Sequence, residues 1–254
     1  MRVLVCVKRV PAPGARINLT DDGMAIDTAQ LGFTMSPHEE CAVEEAIRVA
    51  EASGGAATVM TLGPPQAEEQ LRYALSLGVA EAALVETDGS DWDPQRTAAA
   101  LTDAIVSIED RAGTFDLVLF GNESADSGGF QVGIRVATAL GRPMVNGIKG
   151  IALGDGVVTA RREAGNGVEV YELPLPAVVG VKEGINLPRY PTLTGRLASK
   201  KAQVGMLVTA AARGGLGLAG LRRPVEEVSD TVILGEGAAA APAVVDLFEE
   251  LGVL

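Results

Sequence analysis

Residues 115–141 read FDLVLFGNESADSGGFQVGIRVATALG, and this stretch holds the elements that decide the fold. Its first part, FDLVLFG (115–121), is a short apolar run, typical of a strand buried in the middle of a parallel sheet. The next residues, NESADSGG, are small, polar or glycine, as in a turn. A helical pattern, QVGIRVATALG (131–141), then ends at a glycine. The stretch therefore predicts a strand, a glycine-rich loop and a helix in direct succession.

The sequence before this stretch repeats the same alternation. Apolar runs rich in β-branched residues at 2–8, 56–62 and 80–87 predict further strands, and longer amphipathic segments separate them. Strands that alternate with helices form parallel sheets with helices on both faces. We therefore predict an α/β fold, a Rossmann-like doubly wound and mostly parallel sheet.

In the second half of the chain, the alternation of strands and helices gives way to a series of short strands. Short apolar runs are separated by Gly154–Gly156 and Gly165–Gly167, which predict an added antiparallel hairpin region. Residues 1–204 would then form one α/β domain, and the Gly- and Ala-rich residues 205–254 a C-terminal arm. The arm ends in a short amphipathic pattern at 242–254, which is marginal as an isolated helix. It would dock either on its own domain or on a partner subunit.

Composition excludes several classes of protein. A formal net charge of −12 argues against binding nucleic acid, because such proteins neutralise phosphates with a basic face. One histidine and two cysteines without close spacing predict no metal site. The chain starts directly with a strand and has no uninterrupted apolar run of about 18 residues. We therefore expect a cytoplasmic protein with no membrane insertion.

The carboxyl ends of the strands are the expected ligand site, because doubly wound sheets bind ligands where the strand order reverses. Cys6–Val10, Met35–His38 and 121–133 would meet there. Backbone N–H groups in the last of these segments would lie at a helix N-terminus, which favours an anion such as a nucleotide phosphate. The alternative is a turn without a ligand, capped by Asp126 or Ser127. The loop matches neither a Walker A motif nor GxGxxG.

The first helix carries a capping box and several acids. Ser36 and Glu39 have the spacing of an N-cap and its reciprocal acid. Glu39, Glu40, Glu44 and Glu45 look like paired carboxylates, but their helical spacing predicts a solvated face. With a single histidine, the sequence contains no catalytic constellation. A nucleotide binder or carrier, and not an enzyme, is the expected class.

Four motifs resemble electron-transfer flavoprotein β subunits in order and spacing. They are VLVCVKRVPAP (3–13), SPHEECAVEEAIR (36–48), GNESADSGGFQVG (121–133) and LPAVVGVKEGINLPRYPTLTGRLASKK (175–201). The resemblance implies a heterodimer with an α subunit that holds most of the FAD site. It implies electron transfer from acyl-CoA dehydrogenases of fatty-acid β-oxidation to a quinone oxidoreductase, with a structural AMP in this chain.

The resemblance also assigns residues to these roles. Nucleotide contacts would come from the ends of the first two strands, the start of the first helix and the glycine-rich loop: Cys6, Ser36, Pro37, His38, Leu62, Gly121, Asn122, Asp126, Ser127, Gly128, Gly129, Phe130, Gln131 and Val132. Residues 185–197 look like the family's partner-recognition loop, with Leu193 as the apolar anchor and Arg189 and Tyr190 beside it.

Two other functions remain open at this point. A second FAD could replace AMP, as in the electron-bifurcating relatives of the family. A stand-alone ATP- or AMP-binding protein of the stress type would share the sheet and the loop, although the hairpin region and the PRYPTL segment (188–193) argue against it.

Overall fold

The computed structural model describes residues 1–209, 215–225 and 231–254. Residues 210–214 and 226–230 of the predicted C-terminal arm lie outside this description. The strands are β1 (Arg2–Val7), β2 (Val10–Pro11), β3 (Asn18–Leu19), β4 (Ile26–Asp27), β5 (Phe33–Thr34), β6 (Ala56–Gly63), β7 (Glu81–Glu86), β8 (Leu117–Gly121), β9 (Met144–Leu153), β10 (Val157–Ala164), β11 (Gly167–Pro174), β12 (Ala177–Val181) and β13 (Val204–Leu207). The α-helices are α1 (Pro37–Ser53), α2 (Glu68–Leu77), α3 (Pro94–Ala112), α4 (Gln131–Leu140), α5 (Leu193–Ser199) and α6 (Ala241–Glu250).

One nine-stranded sheet organises the described residues, with the order β11-β10-β9-β12-β8-β1-β6-β7-β13. Every neighbouring pair from β9 to β13 along this order is parallel, whereas β10 runs antiparallel to both β9 and β11. The predicted α/β fold is therefore confirmed, and so are the two hairpins that extend it. Each hairpin turns at the glycine-containing segment that the sequence indicates.

The sheet is covered on both faces, which explains its apolar strands. Val3, Val5 and Val7 of β1 belong to one buried cluster, which also contains side chains of α1 and α2. Leu4 and Cys6 belong to the other, with side chains of α3 and α4. This period of two with burial on both sides is what a central parallel strand requires. Side chains on both faces of the sheet therefore fix the position of β1, from which the loop at its carboxyl end starts.

The glutamates of α1 do not form the solvated face that the sequence predicts. Glu39, Glu44 and Glu45 are all buried. Glu45 accepts a hydrogen bond from Asn186 Nδ2 at 3.0 Å, and Glu44 accepts one from Arg189 Nε at 2.9 Å. The prediction is wrong because helical spacing does not reveal that residues about 140 positions away cover this face.

The C-terminal arm makes two kinds of contact. The last strand, β13, pairs with β7 and crosses the predicted domain boundary at 204. Further on, the Leu216 N–H donates to Asp93 Oδ2 and the Leu221 N–H donates to the Gly23 carbonyl, both at 2.8 Å. The predicted C-terminal helix is present as α6, and none of its residues is buried. The middle of the arm thus lies on its own domain, while α6 exposes its apolar side chains.

Candidate functional site

The strand order reverses next to β1. The chain leaves β1 through α1 to reach β6 on one side, and it returns after β7 to place β8 on the other side. Crossovers that diverge in this way leave a crevice beyond the carboxyl ends of the two strands. Lys8 follows β1 there, α1 begins there, and Gly121 opens the glycine-rich loop after β8. The fold therefore brings the three predicted segments to one edge of the sheet.

The N-terminus of α1 forms the capping box that the sequence predicts. The Glu39 N–H donates to Ser36 Oγ at 3.3 Å, and the Ser36 N–H donates to Glu39 Oε2 at 2.9 Å. Pro37 occupies the first turn, where no backbone donor is needed. This reciprocal pair fixes the direction in which α1 leaves the crevice.

The same glutamate reaches the end of β1. Glu39 Oε1 accepts a hydrogen bond from the Lys8 N–H at 2.8 Å, so one carboxyl group joins β1 to α1. Burial raises the pKa of Glu39 to about 7, although the N–H donors of Ser36 and Lys8 partly offset that effect. Sequence reasoning missed this role, and the capping-box spacing was the signal that pointed to the residue.

Lys8 connects β1 to the glycine-rich loop. Its Nζ lies 2.6 Å from Asp126 Oδ2, and both side chains are partly exposed. Burial alone would raise the pKa of Asp126, but the Lys8 ammonium and the Ser127 N–H outweigh it and hold that pKa below its ordinary value. Asp126 is therefore a carboxylate neutralised by Lys8. Lys8 lies in the predicted segment Cys6–Val10, but no role for its side chain could be read from the sequence.

The loop after β8 depends on its glycines. A Cβ on Gly121 would lie 2.7 Å from Glu39 Cγ, so only glycine fits against the buried carboxyl. Gly128 has φ +62°, which favours glycine. The Gly129 N–H donates to Ser124 Oγ at 2.9 Å, which holds the loop closed. Ser124 lies within the predicted segment 121–133, and the structure gives it the role of closing the loop.

The helix that follows this loop starts without a cap. No side chain in the described part of the chain accepts a hydrogen bond from the first turn of α4, and Phe130 stands at the N-cap position. Neither Asp126 nor Ser127 therefore caps α4, although Asp126 Oδ1 accepts a hydrogen bond from the Ser127 N–H at 2.7 Å within the turn. The first N–H groups of a helix have no intrahelical acceptor, and such groups favour an anion. The N-terminus of α4 thus leaves its first N–H groups without a side-chain acceptor.

His38 is fixed between two loops of the crevice. Its Nδ1 accepts a hydrogen bond from the Glu183 N–H at 2.8 Å, and its Nε2 lies 3.4 Å from Glu123 Oε1. An accepting Nδ1 assigns the proton of the neutral ring to Nε2. Cys6 is buried and not bonded to another cysteine, and burial, together with the nearby Glu39 carboxyl, raises the pKa of its thiol. These environments suit packing and orientation more than acid–base or nucleophilic chemistry.

The other predicted nucleotide contacts vary in exposure. Leu62 is partly buried and packs against the α3 and α4 side of the sheet. Phe130 is half exposed. Asn122 donates its backbone N–H to the Val181 carbonyl at 2.8 Å, which ties the start of the loop to β12. The glycine-rich loop is therefore anchored on both of its neighbouring strands.

The predicted recognition loop leads into α5, and this helix packs beside α2. Leu193 and Tyr190 are 76% and 89% exposed. Thr192 Oγ1 caps α5 by accepting a hydrogen bond from the Gly195 N–H at 3.0 Å. An open groove of about 530 Å³ adjoins the loop, and Tyr73, Leu193 and Leu197 supply apolar side chains to its lining. The loop thus presents apolar groups next to a concave surface.

Arg189 has a different environment from its two neighbours in the loop. Its guanidinium forms ion pairs with Glu44 at 2.9 Å and Glu51 at 2.8 Å. The hydrogen bonds that the guanidinium donates to Glu51 and Glu44 raise the pKa of Arg189 above its ordinary value. The Arg189 side chain therefore holds the loop against α1.

Two further properties concern the described ranges as a whole. None of their helices has the length and apolar content that a bilayer crossing requires. No group of three or more His, Cys, Asp or Glu side chains in these ranges could hold a metal ion.

Fold and site together define a doubly wound α/β protein with a glycine-rich loop and an uncapped helix N-terminus at its switch point. The family model described as electron transfer flavoprotein domain matches residues 23–212. Electron transfer flavoprotein subunit beta of Mycobacterium tuberculosis is 37% identical over 214 residues, covering 82% of this chain and 79% of the relative. The subunits of Syntrophomonas wolfei (36%; 84% and 81% covered) and Bacillus subtilis (32%; 79% and 76% covered) are also similar. The chain belongs to the electron transfer flavoprotein β-subunit family.

Proposed function

We propose that this chain is the β half of a heterodimer that carries electrons and catalyses no reaction by itself. Electrons would pass from acyl-CoA and related dehydrogenases to an FAD held mainly by the α subunit, and from there to a quinone oxidoreductase. Family membership is the observation that carries this proposal. The FAD supplies the redox chemistry, so this chain needs only to position and bind.

A structural AMP in the crevice is the second part of the proposal. The uncapped N-terminus of α4 supports it, because the first backbone N–H groups of that helix are available to a phosphate, and Gly128 leaves open space beside them. Residues Asp126 to Val132 would surround the phosphate, with the Lys8 ammonium beside them. Cys6, Leu62 and Ser36–His38 would lie towards the nucleoside. Such a ligand would add stability, because it binds the folded state alone.

The exposed loop around Leu193 is the proposed docking site for dehydrogenases. A large apolar side chain that is 76% exposed, beside a groove, has the properties of an interface anchor. Tyr190 would add contact area next to it. Arg189 would act there by holding the loop on α1.

The C-terminal arm is proposed to dock on the α subunit through α6. A ten-residue helix with Val245 and Phe248 exposed, followed by an exposed Leu251, is marginal in water without a partner. Covering these side chains would stabilise both the helix and the heterodimer.

Co-expression with an α subunit, followed by denaturation and nucleotide analysis, tests the proposal. One FAD and one AMP per heterodimer is the expected result. A result of two FAD and no AMP would mean that a second flavin occupies the site proposed for AMP, as in bifurcating relatives. Retention of ATP by this chain alone, without a complex or flavin, would overturn the proposal in favour of a stand-alone stress-type protein.

A further inference from the structure

Glu39 lies between two backbone donors that belong to different elements. Its Oε1 accepts from the Lys8 N–H at 2.8 Å, and its Oε2 accepts from the Ser36 N–H at 2.9 Å. The side chain is 5% exposed, so water cannot replace either bond readily. When the carboxyl group is ionised, both of its oxygens accept, so the two backbone donors are both satisfied.

We propose that Glu39 is a positioning residue for the nucleotide phosphate, acting through Lys8 on Asp126. This inference rests on the proposed nucleotide site in the crevice. Glu39 fixes the backbone of Lys8, and Lys8 in turn places its ammonium 2.6 Å from Asp126 Oδ2. Asp126 begins the stretch that would surround the phosphate, so its charge has to be neutralised before an anion binds there.

The charged side chains around the loop explain why Asp126 has to be paired with a cation. Glu123 and Asp126 both stand in the loop that opens the proposed phosphate site. Glu123 lies next to His38, while Asp126 is paired with Lys8. A phosphate placed beside an unpaired Asp126 would meet a like charge in a partly desolvated crevice, which disfavours binding. The Lys8 ammonium converts this repulsion into a neutral pair with hydrogen-bonding capacity left over.

One feature of a neighbouring element supports the assignment independently. Gly121 leaves room for the Glu39 side chain, since any Cβ there would meet Glu39 Cγ at 2.7 Å. The loop that carries Asp126 therefore starts in direct contact with the carboxyl that holds Lys8. An amide at position 39 would accept one of the two hydrogen bonds and oppose the other donor with its own N–H group.

The experiment compares AMP with adenosine, which lacks the phosphate. Heterodimer freed of nucleotide by mild denaturation and refolding would be titrated calorimetrically with each. We expect Glu39→Gln to weaken AMP binding roughly tenfold, the size of one lost hydrogen bond to a charged group. Adenosine binding should change less than about twofold. Glu40→Gln, on the same helical turn, is the matched control and should leave both affinities unchanged.

A double-mutant cycle with Lys8→Ala tests whether Glu39 acts through Lys8. Lys8→Ala alone should weaken AMP binding by a similar factor, and adding Glu39→Gln should then change little. Lys8 is partly exposed, so this variant keeps the inference testable even where Glu39→Gln folds poorly. Additive losses, or equal losses for AMP and adenosine, would overturn the inference alone. A wild-type heterodimer that binds neither ligand would overturn the proposed nucleotide site together with it.

Discussion

At the scale of single residues, the crevice depends on one buried carboxyl and one missing side chain. Glu39 satisfies donors from β1 and from the N-terminus of α1, and Gly121 provides the space for it. Burying an acid is costly unless hydrogen bonds compensate, and here they compensate in part. The free energy of unfolding should therefore respond both to the charge of Glu39 and to any atom added at Gly121.

The first prediction concerns pH. The pKa of Glu39 is about 7 in the folded chain, above its ordinary value of 4.5, so the folded state holds this proton more tightly. Its contribution to stability is then complete below about pH 4.5 and is lost as the pH rises through about 7. We expect the stability of wild type relative to Glu39→Gln to fall between pH 5 and 8 (roughly the window of this titration). Urea denaturation of both heterodimers across that range measures it, and a constant difference would contradict the prediction.

The second prediction uses a pair of glycines. Gly121→Ala should lower the free energy of unfolding by about 1–3 kcal/mol, because the new methyl group meets the buried Glu39 side chain. Gly167→Ala is the matched control, since a Cβ there meets no atom within 4 Å. We expect the control to change stability by less than about 0.5 kcal/mol. Equal effects in chemical denaturation would show that the contact with Glu39 is unimportant.

At the scale of elements, the loop between β12 and α5 combines a fixed base with an exposed tip. Ion pairs with Glu44 and Glu51 hold Arg189 at the base. Thr192 caps α5, and Leu193, the first residue of that helix, is exposed. A loop held in one conformation loses little entropy when it binds, which favours recognition. Mutations at the tip should therefore affect partner binding without disturbing the fold.

The third prediction follows from this division. Leu193→Ala should slow electron transfer from an acyl-CoA dehydrogenase roughly tenfold, the effect of removing an apolar interface anchor. FAD content and the thermal midpoint should stay unchanged, because the side chain is 76% exposed. Stopped-flow reduction of the heterodimer measures the rate. Val168→Ala, which removes a 59% exposed side chain on the hairpin, is the control and should react like wild type. An unchanged rate for Leu193→Ala would exclude this leucine as an anchor.

At the scale of the whole molecule, the proposed nucleotide and the proposed α subunit would both stabilise the folded chain. The crevice joins the ends of β1 and β8 in the centre of the sheet, so a nucleotide there contacts the part of the fold that is most buried. We expect AMP at about one hundred times its Kd to stabilise the heterodimer by about 2.7 kcal/mol. Thermal denaturation of stripped heterodimer with AMP and with adenosine measures this. Identical midpoints with and without AMP would contradict a structural role.

Much of this arrangement follows from local sequence. The alternation of strands and helices, the glycine-bounded hairpins and the Ser36–Glu39 capping box depend on neighbouring residues, and the structure confirms them. The burial of Glu44 and Glu45 could not be predicted in this way, because Arg189 and Asn186 reach α1 from a distant loop. The ion pair of Lys8 could not be predicted for the same reason, since its partner Asp126 belongs to another strand–helix unit. Charges that are paired through tertiary structure look solvated in a helical pattern.

The strand β13 has a practical consequence for shortening the chain. It pairs with β7 at the outer edge of the sheet, whereas β12 lies near the centre, so the recognition loop and α5 are tethered at both ends. Trimming the arm at residue 204 would remove that outer tether and leave the loop attached by one end. Trimming after Leu207 would keep both tethers while removing α6. Comparing two such shortened chains would separate the proposed docking of α6 on the α subunit from the role of β13 as an anchor for the loop.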